Sequence, residues 1–163
     1  MSILVTGAYG QLGQSIIKKL KQNNIPVLAF SKHQMNITDY TALSSCFLKY
    51  KPETVIHCAA YTDIDRAESE RQKCFSINVT ATQDISKLCN KFGSKLVYIS
   101  TGYVFDGQKE SAYEVTDDPK PINYYGLTKY EGELEIRNNT DKYFILRTSW
   151  LFSQNDNFFK SVI

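Results

Sequence analysis

The sequence predicts an α/β fold built on a doubly wound, mostly parallel sheet, and three observations predict it. Short apolar runs alternate with stretches of helical periodicity along the chain. The first apolar run passes straight into three glycines spaced G-x-x-G-x-x-G, and these pass straight into a helical pattern. Hydroxyl-bearing, small and aromatic residues follow the apolar runs, at the carboxyl ends where sheets of this kind hold ligands. This is a Rossmann-like pattern, and residues 1–163 read as one such domain.

Taken in order, residues 2–6 (Ser-Ile-Leu-Val-Thr) predict a buried first strand. Gly7, Gly10 and Gly13 follow it. Gly7 permits a tight turn, Gly10 lets the backbone approach a pyrophosphate, and Gly13 lets helix and strand pack closely. Residues 14–22 continue as a helix through Ile16, Ile17 and Leu20, and its N-terminus presents unpaired N–H groups to phosphate. Residues 26–30 predict a second buried strand. It ends Phe30-Ser31-Lys32, with no carboxylate to hold a ribose 2′-hydroxyl. A hydroxyl and a cation suit a 2′-phosphate, so the expected cofactor is NADP(H) rather than NAD(H); Lys32 reads equally as a solvated loop charge. Asn36 and Ile37 suit an adenine, and Thr38 is the expected N-cap of a helix over residues 40–50, facing the sheet through Leu43, Phe47 and Leu48.

Residues 54–57 predict the third strand, followed by Cys58-Ala59-Ala60-Tyr61-Thr62, small residues that let the backbone lie against a cofactor or simply pack tightly. Residues 75–92 predict one long helix with Ile77, Ala81, Ile85 and Leu88 on one face, capped by Gly93. Residues 95–100 predict the fourth strand, which puts Ser100, Thr101 and Tyr103 at its carboxyl end. Residues 107–121 predict a polar surface loop. Residues 126–137 predict a helix, residues 143–147 a fifth strand, and residues 155–163 the start of another helix. Trp150, the only tryptophan, falls just past the fifth strand, either in the site or in the core.

The chemistry centres on Tyr125 and Lys129. Four residues apart on a helix, they share one face. A phenol ordinarily titrates near pH ~10, and a neighbouring ammonium lowers that value. Bringing it to ~7 takes roughly 4 kcal/mol, of which one exposed ammonium supplies only part. The product is a proton donor and acceptor suited to neutral pH.

Composition narrows the classes. The 163 residues are 42% hydrophobic and 22% charged with a net charge of +2, and Lys and Arg are spread out. Neither a nucleic-acid partner nor a membrane surface is expected. There is no run of about 18 apolar residues and no leader pattern at Met1. Cys46, Cys58, Cys74 and Cys89 lack metal or disulfide spacing, so free thiols in a reducing cytoplasm are expected, with no metal.

Five segments carry a resemblance: residues 7–13; residues 58–68 (Cys-Ala-Ala-Tyr-Thr-Asp-Ile-Asp-Arg-Ala-Glu); residues 99–107 (Ile-Ser-Thr-Gly-Tyr-Val-Phe-Asp-Gly); Tyr125-Gly126-Leu127-Thr128-Lys129 with Gly132-Glu133; and Arg147-Thr148-Ser149-Trp150. Together they resemble the extended short-chain dehydrogenase/reductase family. In order and detail they look like its branch that reduces dTDP-4-dehydrorhamnose to dTDP-L-rhamnose for surface polysaccharides. The resemblance spans essentially the whole chain. It implies NADP(H) as cofactor, a dTDP-sugar as substrate and a cytoplasmic enzyme, and it leaves a homodimer open. That family carries a further C-terminal sugar-binding region, which the resemblance implies is absent here. By the same resemblance Gly10, Gln11 and Leu12 hold the pyrophosphate, Ser31 the ribose, Asn36 and Ile37 the adenine, and Ala60, Tyr61 and Thr62 line the cofactor. Thr101, Tyr125 and Lys129 match the catalytic set, and Trp150 matches a contact to the nucleotide-sugar. Gly102 departs from the pattern, which has Asp there, and this puts the substrate and catalytic competence in question. A non-catalytic NADP-binding protein and an NAD-dependent epimerase or dehydratase are the alternative readings.

Overall fold

The residues of the first apolar run are buried on both faces, so they form the centre of the sheet rather than its edge. The computed structural model describes residues 2–151; the helix expected over residues 155–163 lies outside them. The order of elements is β1 (Ile3–Thr6), α1 (Gln11–Gln22), β2 (Val27–Ala29), α2 (Tyr40–Tyr50), β3 (Thr54–His57), α3 (Ile64–Ala67), α4 (Arg71–Phe75), a π turn (Ser76–Thr80), α5 (Ala81–Phe92), β4 (Lys95–Thr101), a 3₁₀ turn (Gly102–Val104), α6 (Tyr124–Asn139) and β5 (Tyr143–Thr148). The described strands form one five-stranded sheet in the order β2-β1-β3-β4-β5, and every neighbouring pair is parallel. The fold is the α/β Rossmann-like one expected.

The core lies where α2, α5 and α6 cover the sheet. Leu43 and Phe47 of α2, Ile85 and Leu88 of α5 and Ile136 of α6 pack on Leu4, Val55, Leu96 and Tyr98 of the strands. α1 packs on β1 and β2, away from those three helices. This follows from handedness: the chain winds one way from β1 to β2 and the other way from β2 onward, and right-handed crossovers then place the helices on opposite faces.

Four expectations are corrected. β2 is only half-buried, because it is an edge strand among the described elements. Leu48 is exposed; Cys46 takes the third inward place on α2. The cap of α2 is Asp39, whose carboxylate accepts from the N–H groups of Thr41 and Ala42 at 2.9 and 3.1 Å; the Thr38 hydroxyl instead donates to the Asn36 side-chain oxygen. The long helix over residues 75–92 carries a π turn at Ser76–Thr80.

Candidate cofactor and catalytic cleft

The strand order reverses between β1 and β3, and a cleft of about 1810 Å³ opens there along the carboxyl ends of the strands. It exceeds the ~300–1,000 Å³ of an ordinary small-ligand site, so it has room for two ligands end to end.

One wall is the turn after β1. Gly7 has φ +64°, and a Cβ there would lie 2.6 Å from the Ala59 nitrogen. A Cβ at Gly13 would run into the Gly7 carbonyl, so α1 sits directly on the turn. Gly10 is the N-cap of α1 and supplies no side-chain cap, and the first turn carries no acidic residue. With glycine at the N-cap and no acidic residue in its own first turn, the start of α1 lines the cleft, which fits a bound pyrophosphate.

β3 joins this wall through His57, which is fully buried. Its Nδ1 lies 2.7 Å from the Thr6 hydroxyl and its Nε2 lies 3.1 Å from the Thr82 hydroxyl. Thr82 donates to the Asn78 carbonyl, so Nε2–H donates to Thr82 and Thr6 donates to Nδ1. Burial, helped by the Lys129 charge, pushes the imidazole down to about 3, and the ring stays neutral.

The opposite wall holds Thr101, Tyr125 and Lys129, all lining the cleft. Thr101 ends β4, and its hydroxyl accepts from the Tyr103 N–H at 3.2 Å. Asn123 caps α6, accepting from the Gly126 N–H at 2.7 Å, and this sets the first turn that carries Tyr125. The Tyr103 ring meets Tyr125 edge-on at 6.0 Å. Lys129 is not the exposed ammonium expected. It is buried, with its amine 4.0 Å from the centre of the Tyr98 ring. Burial pushes that amine down to about 7, against the pull of Glu133. Burial also raises the Tyr125 phenol, and a hydrogen bond with Thr101 opposes the rise. Desolvation therefore outweighs any help the lysine gives the phenol.

The remaining expected site residues divide. Lys32, Asn36, Ile37, Ala60, Thr62, Gly102 and Trp150 line the cleft, with Trp150 exposed on its rim. Ser31 and Tyr61 lie outside the lining. Ser31 is engaged with Gln34: its N–H donates to the Gln34 side chain at 2.9 Å, and its hydroxyl accepts from the Gln34 N–H at 3.3 Å. Tyr61 is buried, and its backbone is held at both ends by Asn78, which accepts from the Tyr61 N–H at 2.8 Å and donates to the Tyr61 carbonyl at 3.1 Å. Asn78 also donates to the Thr128 hydroxyl on α6 at 3.1 Å. Sequence reasoning missed Asn78. Its signal was an amide next to the apolar face of a helix, where it must find partners. A Cβ at Gly102 would lie 3.0 Å from the Ser149 hydroxyl oxygen, so a side chain there would need Ser149 to move. Among the described residues no group of three or more His, Cys, Asp or Glu could hold a metal, and no helix is long and apolar enough to cross a membrane.

The whole chain, residues 1–163, matches the family model described as "RmlD substrate binding domain". The chain belongs to this family. Within the RmlD family it is 39% identical to a dTDP-4-dehydrorhamnose reductase of Aggregatibacter actinomycetemcomitans, over 99% of this chain and 55% of that protein. It is 36% identical to the spore coat polysaccharide biosynthesis protein SpsK of Bacillus subtilis, over 99% of this chain and 57% of that protein. The crystal structure of dTDP-4-dehydrorhamnose reductase from Bacillus anthracis in complex with NADP superposes with a TM-score of 0.94 at 38% identity, covering 98% of this chain and 57% of that one. The chain thus spans about half the length of the curated relatives it matches.

Proposed function

We propose that this chain holds NADP(H) across the cleft and carries the catalytic set that reduces the 4-keto group of a dTDP-sugar, dTDP-4-dehydrorhamnose, in the synthesis of a surface polysaccharide. One observation carries the reading: the glycine turn at the start of α1 and a Thr101–Tyr125–Lys129 set line the same cleft. The RmlD-family reductases to which the chain is similar support it, and so does the NADP in one of them.

The residues suit the cofactor. Gly7, Gly10, Gln11 and Leu12 would take the pyrophosphate through backbone N–H groups. Asn36 and Ile37 would take the adenine, and Lys32, with Ser31 beside it, the 2′-phosphate. Ala60 and Thr62 would lie along the cofactor, with Tyr61 holding their loop in place. A nicotinamide held by these residues would supply the hydride for the sugar's C4. Tyr125 gives its proton to the C4 oxygen as charge develops, and Thr101 shares a hydrogen bond to the same atom. Lys129 binds the nicotinamide ribose and, charged, eases loss of the phenol's proton. Gly102 and Trp150 face the sugar end.

Gly102 favours a second reading, binding of NADP(H) without turnover, because no carboxylate stands beside Thr101 to meet a sugar hydroxyl. Following NADPH oxidation with and without dTDP-4-dehydrorhamnose separates the two. Substrate-dependent oxidation supports the reductase. Saturable NADPH binding with no oxidation supports the binding protein. Absence of NADPH binding removes both.

A further inference from the structure

α6 carries Tyr125, Lys129, Glu133 and Arg137 at four-residue intervals, one stripe along one face. Glu133 is fully buried. Three groups converge on its carboxylate. The Ser100 hydroxyl donates to Oε1 at 2.5 Å, and the Arg147 guanidinium donates through Nε to Oε1 at 2.9 Å and through Nη2 to Oε2 at 2.6 Å. Arg137 stands 3.7 Å from Oε2 at the outer end. Ser100 immediately precedes Thr101 at the end of β4, and Arg147 lies three residues before Trp150 at the end of β5. Arg147 also lies 5.0 Å over the Phe105 ring, which stacks on Tyr113 of the loop beside the cleft at 4.1 Å.

Replacing a buried ion pair of this kind with apolar groups of similar size usually costs little stability. α6 is already anchored by Ile136 in the core and by its Asn123 cap. Stability alone therefore does not account for a carboxylate at this point on the stripe. We propose that Glu133, gripped by Arg147 and Ser100, is a positioning residue. Its carboxylate stands one helical turn from Lys129 and favours the charged amine there, and it locks the ends of β4 and β5 to α6, so the catalytic set is assembled before any ligand arrives. The value of that arrangement rests on the reading of Lys129 given above, but the arrangement itself can be tested without cofactor or turnover.

The groups acting on the amine are Glu133 on α6, Tyr98 beneath it on β4, Cys58 after β3 and Cys74 on α4, with His57 within reach of its charge. Burial raises both thiols and the Tyr98 phenol, so all three are neutral at pH 7, as is His57. Among the described residues that act on the amine, Glu133 is the acid left to favour its charged form. The full 163-residue chain, labelled with ¹³C at lysine Cε, is titrated by two-dimensional NMR, and the Lys129 signal is assigned from its loss in K129M. In E133Q the Lys129 midpoint is expected to fall by about one pH unit. A folded E133Q with an unchanged or raised midpoint would overturn the proposal. Should E133Q fail to fold, the difference in midpoint between E133M/R147M and R147M isolates the carboxylate, and the same fall is expected there, with an unchanged or raised value overturning the proposal. Failure of NADPH to bind a chain whose titration behaves as expected would sink the functional reading and leave the clamp standing.

Discussion

The Lys129 amine lies 4.0 Å from the centre of the Tyr98 ring, inside the protein rather than on the helix surface. The group expected to sharpen the Tyr125 phenol is itself desolvated, and burial pushes its amine down to about 7. The folded value lies below the ordinary 10.5, so above pH 7 the unfolded chain keeps a proton that the folded chain has lost. Stability from this group is therefore absent below pH 7 and grows as the pH rises. Stability, and with it the melting temperature, is expected to rise between about pH 7 and 8, before unfolded thiols ionise appreciably, by on the order of 1 kcal/mol. Lys129→Met should flatten that rise in a calorimetric pH series.

His57 should act on the acid side. Its folded value near 3 lies below the ordinary 6.5, so the unfolded chain binds the extra proton and stability is lost as the pH falls from 6.5 towards 3. His57→Gln is expected to lower stability at pH 7 by about 1–3 kcal/mol through the broken bonds to Thr6 and Thr82, and to weaken the acid dependence. Chemical denaturation at pH 7 and pH 5 measures both effects.

Gly7 combines a left-handed backbone with contact to Ala59. Gly7→Ala is expected to cost about 1–3 kcal/mol and to abolish NADPH binding, because the turn must open for the new methyl group. Thermal melting and a fluorescence titration report the two losses separately.

Tyr125→Phe removes one hydroxyl from a site whose shape is otherwise kept. NADPH affinity should be nearly unchanged, while substrate-dependent NADPH oxidation should fall by about a thousandfold. Retained oxidation would remove Tyr125 from its proposed role.

Lys32 lines the cleft beyond the end of β2. Lys32→Ala is expected to weaken NADPH about tenfold and to leave NADH nearly untouched, which parallel titrations would show.

Much of this was legible in the chain. β1, β3 and β4 follow from apolar runs of strand length, and the α2 boundaries follow from Pro52 and the apolar spacing. The shared face of Tyr125 and Lys129 is local geometry, fixed by a four-residue interval. What stayed hidden depends on non-local packing. An apolar run does not reveal how many neighbours its strand has, so β2 was taken as buried although it lies at an edge of the described sheet. Helical spacing shows which residues share a face but not how deep they lie, so Lys129 was taken as exposed. Asp39 and Thr38 are both good caps, and the choice fell to Asp39 because the Thr38 hydroxyl turns back to Asn36. The grip of Arg147 on Glu133 joins a helix to a strand 14 residues later and leaves no periodic trace.

The central claim is that a pyridine nucleotide with a 2′-phosphate occupies the cleft at the β1–β3 reversal. Calorimetric titration of the 163-residue chain with NADPH and with NADH tests it most directly. One NADPH site per chain, with NADH binding more weakly, is the expected result. No heat from either nucleotide, or tighter binding of NADH, would contradict it.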